Sequence, residues 1–251
     1  MGWKAWVMEF IGTFALCYVG GGSLQSGSAL NAAFGHGTVL AFMIYAGAAT
    51  SGSNFNPAVS LGLALTGHLP FMEAILYMAF QMLGGLVAGI LHVIVGSVTV
   101  NNVTVYSPYC PGGLSPVASG IQNYNAFTGA MLELIATFFL VLAVMGTGVD
   151  KRAAPGVVGL CVGGALLMSI LGIGNITGGA LNPARYFGPQ LGHLITGHGW
   201  WGDFSYFWMY LVGPFGGGVA AAFLYQFMFY EDVSIQVEVE QNFEVKVDIE
   251  I

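Results

Sequence analysis

The chain has almost no positive charge. Lysine and arginine together number 5 in 251 residues, and all charged residues make up 7 %. A soluble domain averages roughly 25 % charged residues, so this chain cannot cover a water-facing surface. The same shortage removes the basic stripe that a nucleic-acid surface requires. Cysteine is scarce as well. Cys17, Cys110 and Cys161 are scattered and odd in number, which excludes a disulfide framework. No nucleophile elbow, phosphate loop or metal-ligand cluster stands out. The sequence therefore points away from an enzyme and calls for no cofactor and no metal.

What the chain does have is hydrophobic length: 56 % of its residues are hydrophobic. No Asp, Glu, Lys or Arg falls between Glu9 and Glu73, and none between Glu73 and Glu133. A hydrocarbon core about 30 Å thick takes about 20 apolar residues per helix, so each gap holds more than one span. The runs do not alternate as barrel strands would. The reading is an all-α, polytopic membrane protein with spans at about 5–24, 34–51, 70–97, 126–149, 156–174 and 205–230. Two shorter apolar pieces, about 56–66 and 182–192, cannot cross. Each opens on Asn-Pro-Ala (Asn56, Pro57, Ala58 and Asn182, Pro183, Ala184). Asparagine is a favoured N-cap, and proline at the first helical position gives up an N–H that would be unpaired anyway. Each piece is therefore read as a half-helix.

Six spans put Lys4, Lys151, Arg152 and Lys246 on one face, which the positive-inside rule makes cytoplasmic along with both termini. Segment 98–125 then lies outside, with Asn102 as a glycosylation candidate in Asn-Val-Thr. A second triplet, Asn175-Ile176-Thr177, abuts the half-helix and is expected to be inaccessible. The net charge of -7 belongs to the end of the chain, where Glu231, Asp232, Glu238, Glu240, Glu244, Asp248 and Glu250 make residues 231–251 an acidic tail.

The chain also repeats itself. SGSNFNPAV (51–59) matches TGGALNPAR (177–185) at an offset of 126, from Asn56 to Asn182. MEFIGTF (8–14) matches LELIATF (132–138) at an offset of 124, from Glu9 to Glu133. Three spans per half is an odd number, so the halves, about 5–97 and 126–230, are inverted in the membrane. Paired short segments at corresponding positions of two halves point to a site at the midplane. One of the few cations, Arg185, stands within the second short segment, where an unpaired charge in hydrocarbon costs at least about 3 kcal/mol.

These motifs resemble those of the aquaporin, or major intrinsic protein, family, over residues 1–230 as one channel domain. The resemblance implies six tilted helices and two half-helices around one pore per protomer, usually in a homotetramer. It implies that Asn56 and Asn182 present amide donors where the half-helix N-termini meet, and that Glu9 and Glu133 support the re-entrant loops. It makes Arg185 the constriction arginine and, by family spacing, adds His36, Ile170 and Gly179. His-Ile-Gly-Arg resembles the filter of plant vacuolar-membrane and ammonia-permeable vertebrate members, and lacks the aromatic wall of glycerol channels. The expected function is a passive channel for water, with ammonia and other small neutral solutes, excluding ions and protons. Its alternatives are a glycerol facilitator or a membrane-junction protein of low conductance. Either a plasma or a vacuolar membrane fits. His68, His92, His193 and His198 are read as loop or packing residues, and Cys17 and Cys161 as small buried hydrophobes.

Overall fold

The computed structural model of the chain describes residues 2–95, 98–100, 103–105, 109–111 and 124–231. Among these, eight α-helices follow in order: α1 (Trp3–Ala15), α2 (Ala29–Ser51), α3 (Pro57–Leu65), α4 (Phe71–Val95), α5 (Ala126–Val144), α6 (Val158–Thr177), α7 (Pro183–Ile195) and α8 (Met209–Met228). Six stretches are long and apolar enough to cross a bilayer, the first extended through a π-turn at Leu16–Gly20 and the fourth through one at Met145–Val149. Both halves thus open on a helix whose last turn widens. Six crossings place Trp3 and Met228 on one face of the bundle, here called the termini face.

Two span edges differ from the hydropathy reading. The second span begins at Ala29, because the Ser28 side chain accepts the Asn31 N–H and caps it ahead of the apolar run. The fifth runs on to Thr177 and stops at Gly178, whose φ of 83° is the left-handed C-cap that glycine favours. The bundle also carries one short antiparallel ladder in the long loop on the opposite face. There β1 (Val98–Val100) pairs with β2 (Val103–Val105), Val98 facing Val105. Asn102 and tail residues 232–251 lie outside the described residues.

The surface is apolar, and the largely apolar interior also encloses polar and charged side chains. Phe42, Phe139, Leu160 and Met168 are exposed while Glu9, Gln81, Glu133 and Arg185 are buried. Without a hydrophobic drive between helices in lipid, close backbone approach has to hold them together. A Cβ on Gly163 of α6 would lie 2.4 Å from the Gly37 oxygen of α2, so glycine alone lets this pair touch. The half-helices fill the middle. At about 1.5 Å per residue, nine-residue α3 reaches roughly half of a bilayer core. Both α3 and α7 start at mid-depth, α3 running to the termini face and α7 away from it.

Candidate functional site

The two loops that lead into α3 and α7 share one backbone shape. Gly52 and Gly178 have φ of 81° and 83°, Ser53 and Gly179 have 58° and 56°, and Phe55 and Leu181 have 51° and 54°. The repeat is therefore preserved in dihedral angles even where side chains differ. Left-handed non-glycine residues cost about 1–3 kcal/mol each and persist only where the surroundings over-determine them. A buried carboxylate does so in each half. Glu9 Oε1 accepts from the Ser51 hydroxyl (2.6 Å) and Asn54 N–H (3.0 Å), and Oε2 from Phe55 N–H (2.7 Å) and the Gln81 amide (2.8 Å). Glu133 Oε1 accepts from the Thr177 hydroxyl (2.6 Å) and Ala180 N–H (2.9 Å), and Oε2 from Leu181 N–H (2.7 Å). Tyr77 and Tyr210 complete the frame by donating to the carbonyls of Ser51 and Thr177.

The asparagines link one loop to the other. Each caps its own half-helix: Asn56 Oδ1 accepts Ala58 N–H, and Asn182 Oδ1 accepts Ala184 and Arg185 N–H. Each amide also donates across the middle, Asn56 Nδ2 to the Leu181 carbonyl (2.9 Å) and Asn182 Nδ2 to the Phe55 carbonyl (2.8 Å). An amide nitrogen carries two hydrogens, so one donor on each asparagine is not used by these bonds. A cavity of about 300 Å³ passes this point. Its wall runs from Arg185 past Asn182 and Asn56, along Leu40 and Val162, to Val149 and His68 at the termini face.

Of the four residues that the family resemblance names for a constriction, Arg185 lines that cavity, and His36, Ile170 and Gly179 are not among its lining residues. The Arg185 guanidinium donates to the Gly179 carbonyl (2.6 Å) and reaches the Gly178 carbonyl (3.4 Å), while its buried Nε finds no partner. His36 Nδ1 lies 2.8 Å from the Ala32 carbonyl, which can only accept, so Nδ1 carries the hydrogen and, in the neutral ring, Nε2 keeps a lone pair. That Nε2 is also buried without a partner. The imidazole fits because Gly20 leaves room for it; a Cβ there would lie 2.7 Å from the ring. A Cβ on Gly179 would lie 3.2 Å from Ile170, so these two residues are neighbours.

Sequence reasoning missed a polar set in the first half. Gln81 and Asn54 both donate to Ser60 Oγ, and Asn54 lines the cavity. At the repeat offset the second half has Ala180 for Asn54 and Tyr186 for Ser60, so the set is not duplicated. Aligning α4 with α8 would have exposed Tyr77 and Tyr210, but at an offset of 133 rather than 126. The packing reading of three histidines agrees with their partners: His92 with the Tyr18 carbonyl, His193 with that of Gly199, His198 with Thr196. His68 stands on the loop between α3 and α4, as read, and also lines the cavity. Asn175 is exposed, contrary to expectation, because only Thr177 of that triplet is drawn in to Glu133.

Cys161 also corrects the sequence reading. It is exposed on the apolar side of α6, beside the groove against α5, rather than buried. Cys17 and Cys110 are buried, and burial pushes the Cys110 thiol up, away from the reactive thiolate. None of the three lines the cavity. Mercury is therefore expected to leave water flux largely intact. Gly179→Cys should create sensitivity, since its side chain would meet Ile170 at the constriction. The matching Ser53 already carries a side chain at φ 58°, so the loop shape accepts one. Light scattering with and without mercuric chloride checks this, and strong block of the parent would refute it.

Three comparisons place this geometry among known proteins. The family model described as Major intrinsic protein matches residues 1–225. A probable aquaporin TIP2-2 of Oryza sativa is 34 % identical over 244 residues, covering 90 % of this chain and 87 % of its own. Aquaporin AqpM of Methanothermobacter thermautotrophicus is 33 % identical, covering 90 % and 97 %. Among solved structures, the aquaglyceroporin from Plasmodium falciparum superposes with a TM-score of 0.72 at 26 % identity, over 90 % of this chain and 96 % of that one.

Proposed function

Since the chain belongs to the major intrinsic protein family and is a membrane channel for water or small solutes, we propose that it passes water and ammonia and excludes ions and protons. One observation carries this reading. The constriction holds a buried donor, Arg185 Nε, and a buried acceptor, His36 Nε2, each without a partner. Buried polar atoms without partners are rare and call for an explanation. A small molecule that both accepts and donates would satisfy the two as it passes. Water does so, and so does ammonia, which accepts through its lone pair and donates through N–H. Ammonium has no lone pair to offer Arg185 and carries the wrong charge. At mid-depth the positive ends of α3 and α7 face each other and add to the barrier against cations.

Two features frame the proposal. We assign the termini face to the cytoplasm, on the placement of Lys4, Lys151 and Arg152, and the assembly to a homotetramer, on the family resemblance. The second reading is a glycerol facilitator, favoured by the likeness to an aquaglyceroporin and opposed by a constriction without an aromatic wall. Stopped-flow light scattering on proteoliposomes with water, glycerol, urea and methylammonium gradients separates the two. His36→Phe is expected to lower ammonia permeability by roughly tenfold, the worth of one hydrogen bond, and water permeability by less. Equal losses of both, or a parent without ammonia flux, would reduce the reading to a water channel.

A further inference from the structure

The last turn of α8 meets both loops that rim the cavity on the termini face. On one side the Tyr225 hydroxyl donates to Asp150 Oδ2 at 2.8 Å. Asp150 directly follows Gly148 and Val149, which line the cavity. The Arg152 guanidinium beside it holds the Asp150 carboxyl well below the usual carboxylate range. Arg152 also donates to the Phe229 carbonyl and pairs with Glu231 at 3.0 Å, so this loop is tied both to the end of α8 and to the residues just after it. On the other side the neighbouring residue, Gln226, accepts from His68 Nε2–H at 2.6 Å. The Tyr230 ring meets the same imidazole edge-on, 5.0 Å between centroids. His68 lies on the loop between α3 and α4 and lines the cavity at its termini-face end.

The two attachments differ in strength. The Asp150 side is an ion pair reinforced by several hydrogen bonds. The His68 side is one hydrogen bond and one ring contact, on a half-buried side chain. Gly67 precedes it at φ 82° and ends the turn after α3, so the histidine stands on a short connector rather than within a helix.

We propose that His68 is a movable side chain at the mouth of the pore, held against the wall by Gln226 and Tyr230, so that the last turn of α8 sets the conductance. With the latch made, the imidazole is part of the wall. With it broken, the ring is free to turn across the mouth of the cavity it lines. His68 acts here as a positioned gate residue, and Gln226 and Tyr230 as positioning residues. This inference rests on the channel reading above and adds a second point of control, at the opposite end of the pore from Arg185.

The test is water flux in proteoliposomes for the parent, for Gln226→Leu/Tyr230→Ala, and for the same pair combined with His68→Ala. The pair is expected to lower flux by up to about tenfold, the worth of one hydrogen bond and one ring contact. Adding His68→Ala is expected to restore it, because no ring remains to obstruct. That rescue also shows that the variant folds, which a general loss of structure would not give. Gln226→Glu keeps an acceptor for His68 and should conduct faster than Gln226→Leu alone. Parent-level flux in the pair, or a loss that His68→Ala does not rescue, would overturn the inference and leave the channel reading intact. A parent that carries no water would overturn the channel reading itself.

Discussion

Arg185→Val is expected to yield a folded channel that leaks protons and larger neutral solutes. Valine is the residue the chain already uses at the matching position of the other half-helix, where Val59 is buried. The backbone of α7 should therefore accept it, and the Asn182 cap that bonds Ala184 and Arg185 N–H involves no arginine side chain. What is lost is the guanidinium. Its contact at 2.6 Å with the Gly179 carbonyl disappears, and that oxygen turns towards the passage without its cation. A unit charge at about 4 Å is worth roughly 4 kcal/mol at an effective dielectric of 20, so cation flux can rise by up to about a thousandfold. The side chain at this position also becomes smaller, which leaves more room for solutes. Proton flux is measured with a pH dye trapped in liposomes under an imposed gradient, and solute flux by light scattering with urea and glycerol. Arg185→Lys, which keeps the charge but not the fork, should leak solutes more than protons. Parent-level proton and solute permeability in a folded Arg185→Val protein would refute the assignment.

The sequence carried the parts of this site that repeat. Asn56 with Asn182 and Glu9 with Glu133 could be paired because each recurs at nearly one offset, and a charge such as Glu133 is conspicuous in an apolar run. The scarcity of charge likewise made the spans legible. The contacts that join the halves left no such mark. Asn56 reaches the Leu181 carbonyl and Asn182 that of Phe55, and a backbone carbonyl is present at every position of every sequence. The position of His68 on the cavity wall left no mark for a related reason. Its place on the cavity follows from where α3 ends relative to α8, a distance of 158 residues along the chain to Gln226. Cys161 was misread because a membrane protein exposes small apolar residues as readily as it buries them. Composition cannot say which side of α6 faces lipid, and the groove beside α5 decides it.

Glu133→Ala should abolish the folded protein rather than merely slow conduction. The carboxylate receives three donors, the N–H groups of Ala180 and Leu181 and the hydroxyl of Thr177, all of them in buried residues. Leaving a buried donor unsatisfied costs about 1–3 kcal/mol. Three such losses fall on a loop that also holds Leu181 at φ 54°, a strain this carboxylate helps to impose. The sum rivals the 5–15 kcal/mol that keeps a typical domain folded. Water cannot compensate where the loop lies at membrane depth and is covered by protein. Glu133→Gln is the informative companion. Its oxygen can take the place of Oε1 and keep the two donors found there, while its amide nitrogen faces only the Leu181 N–H, now donor against donor. At Glu9 both oxygens already accept two donors each, so Glu9→Gln sets its nitrogen against a backbone N–H, of Asn54 or Phe55, and against a second group, Ser51 or Gln81, that has to turn to accept. The expected order of folded yield is parent, Glu133→Gln, Glu9→Gln, then Glu133→Ala near zero, read from monodisperse protein in detergent and from the midpoint of thermal unfolding. Whatever Glu133→Gln protein folds should still conduct water, since the carboxylate holds the loop from behind and does not line the cavity. Glu133→Ala recovered at parent yield and midpoint would show that the loop keeps its shape without the carboxylate.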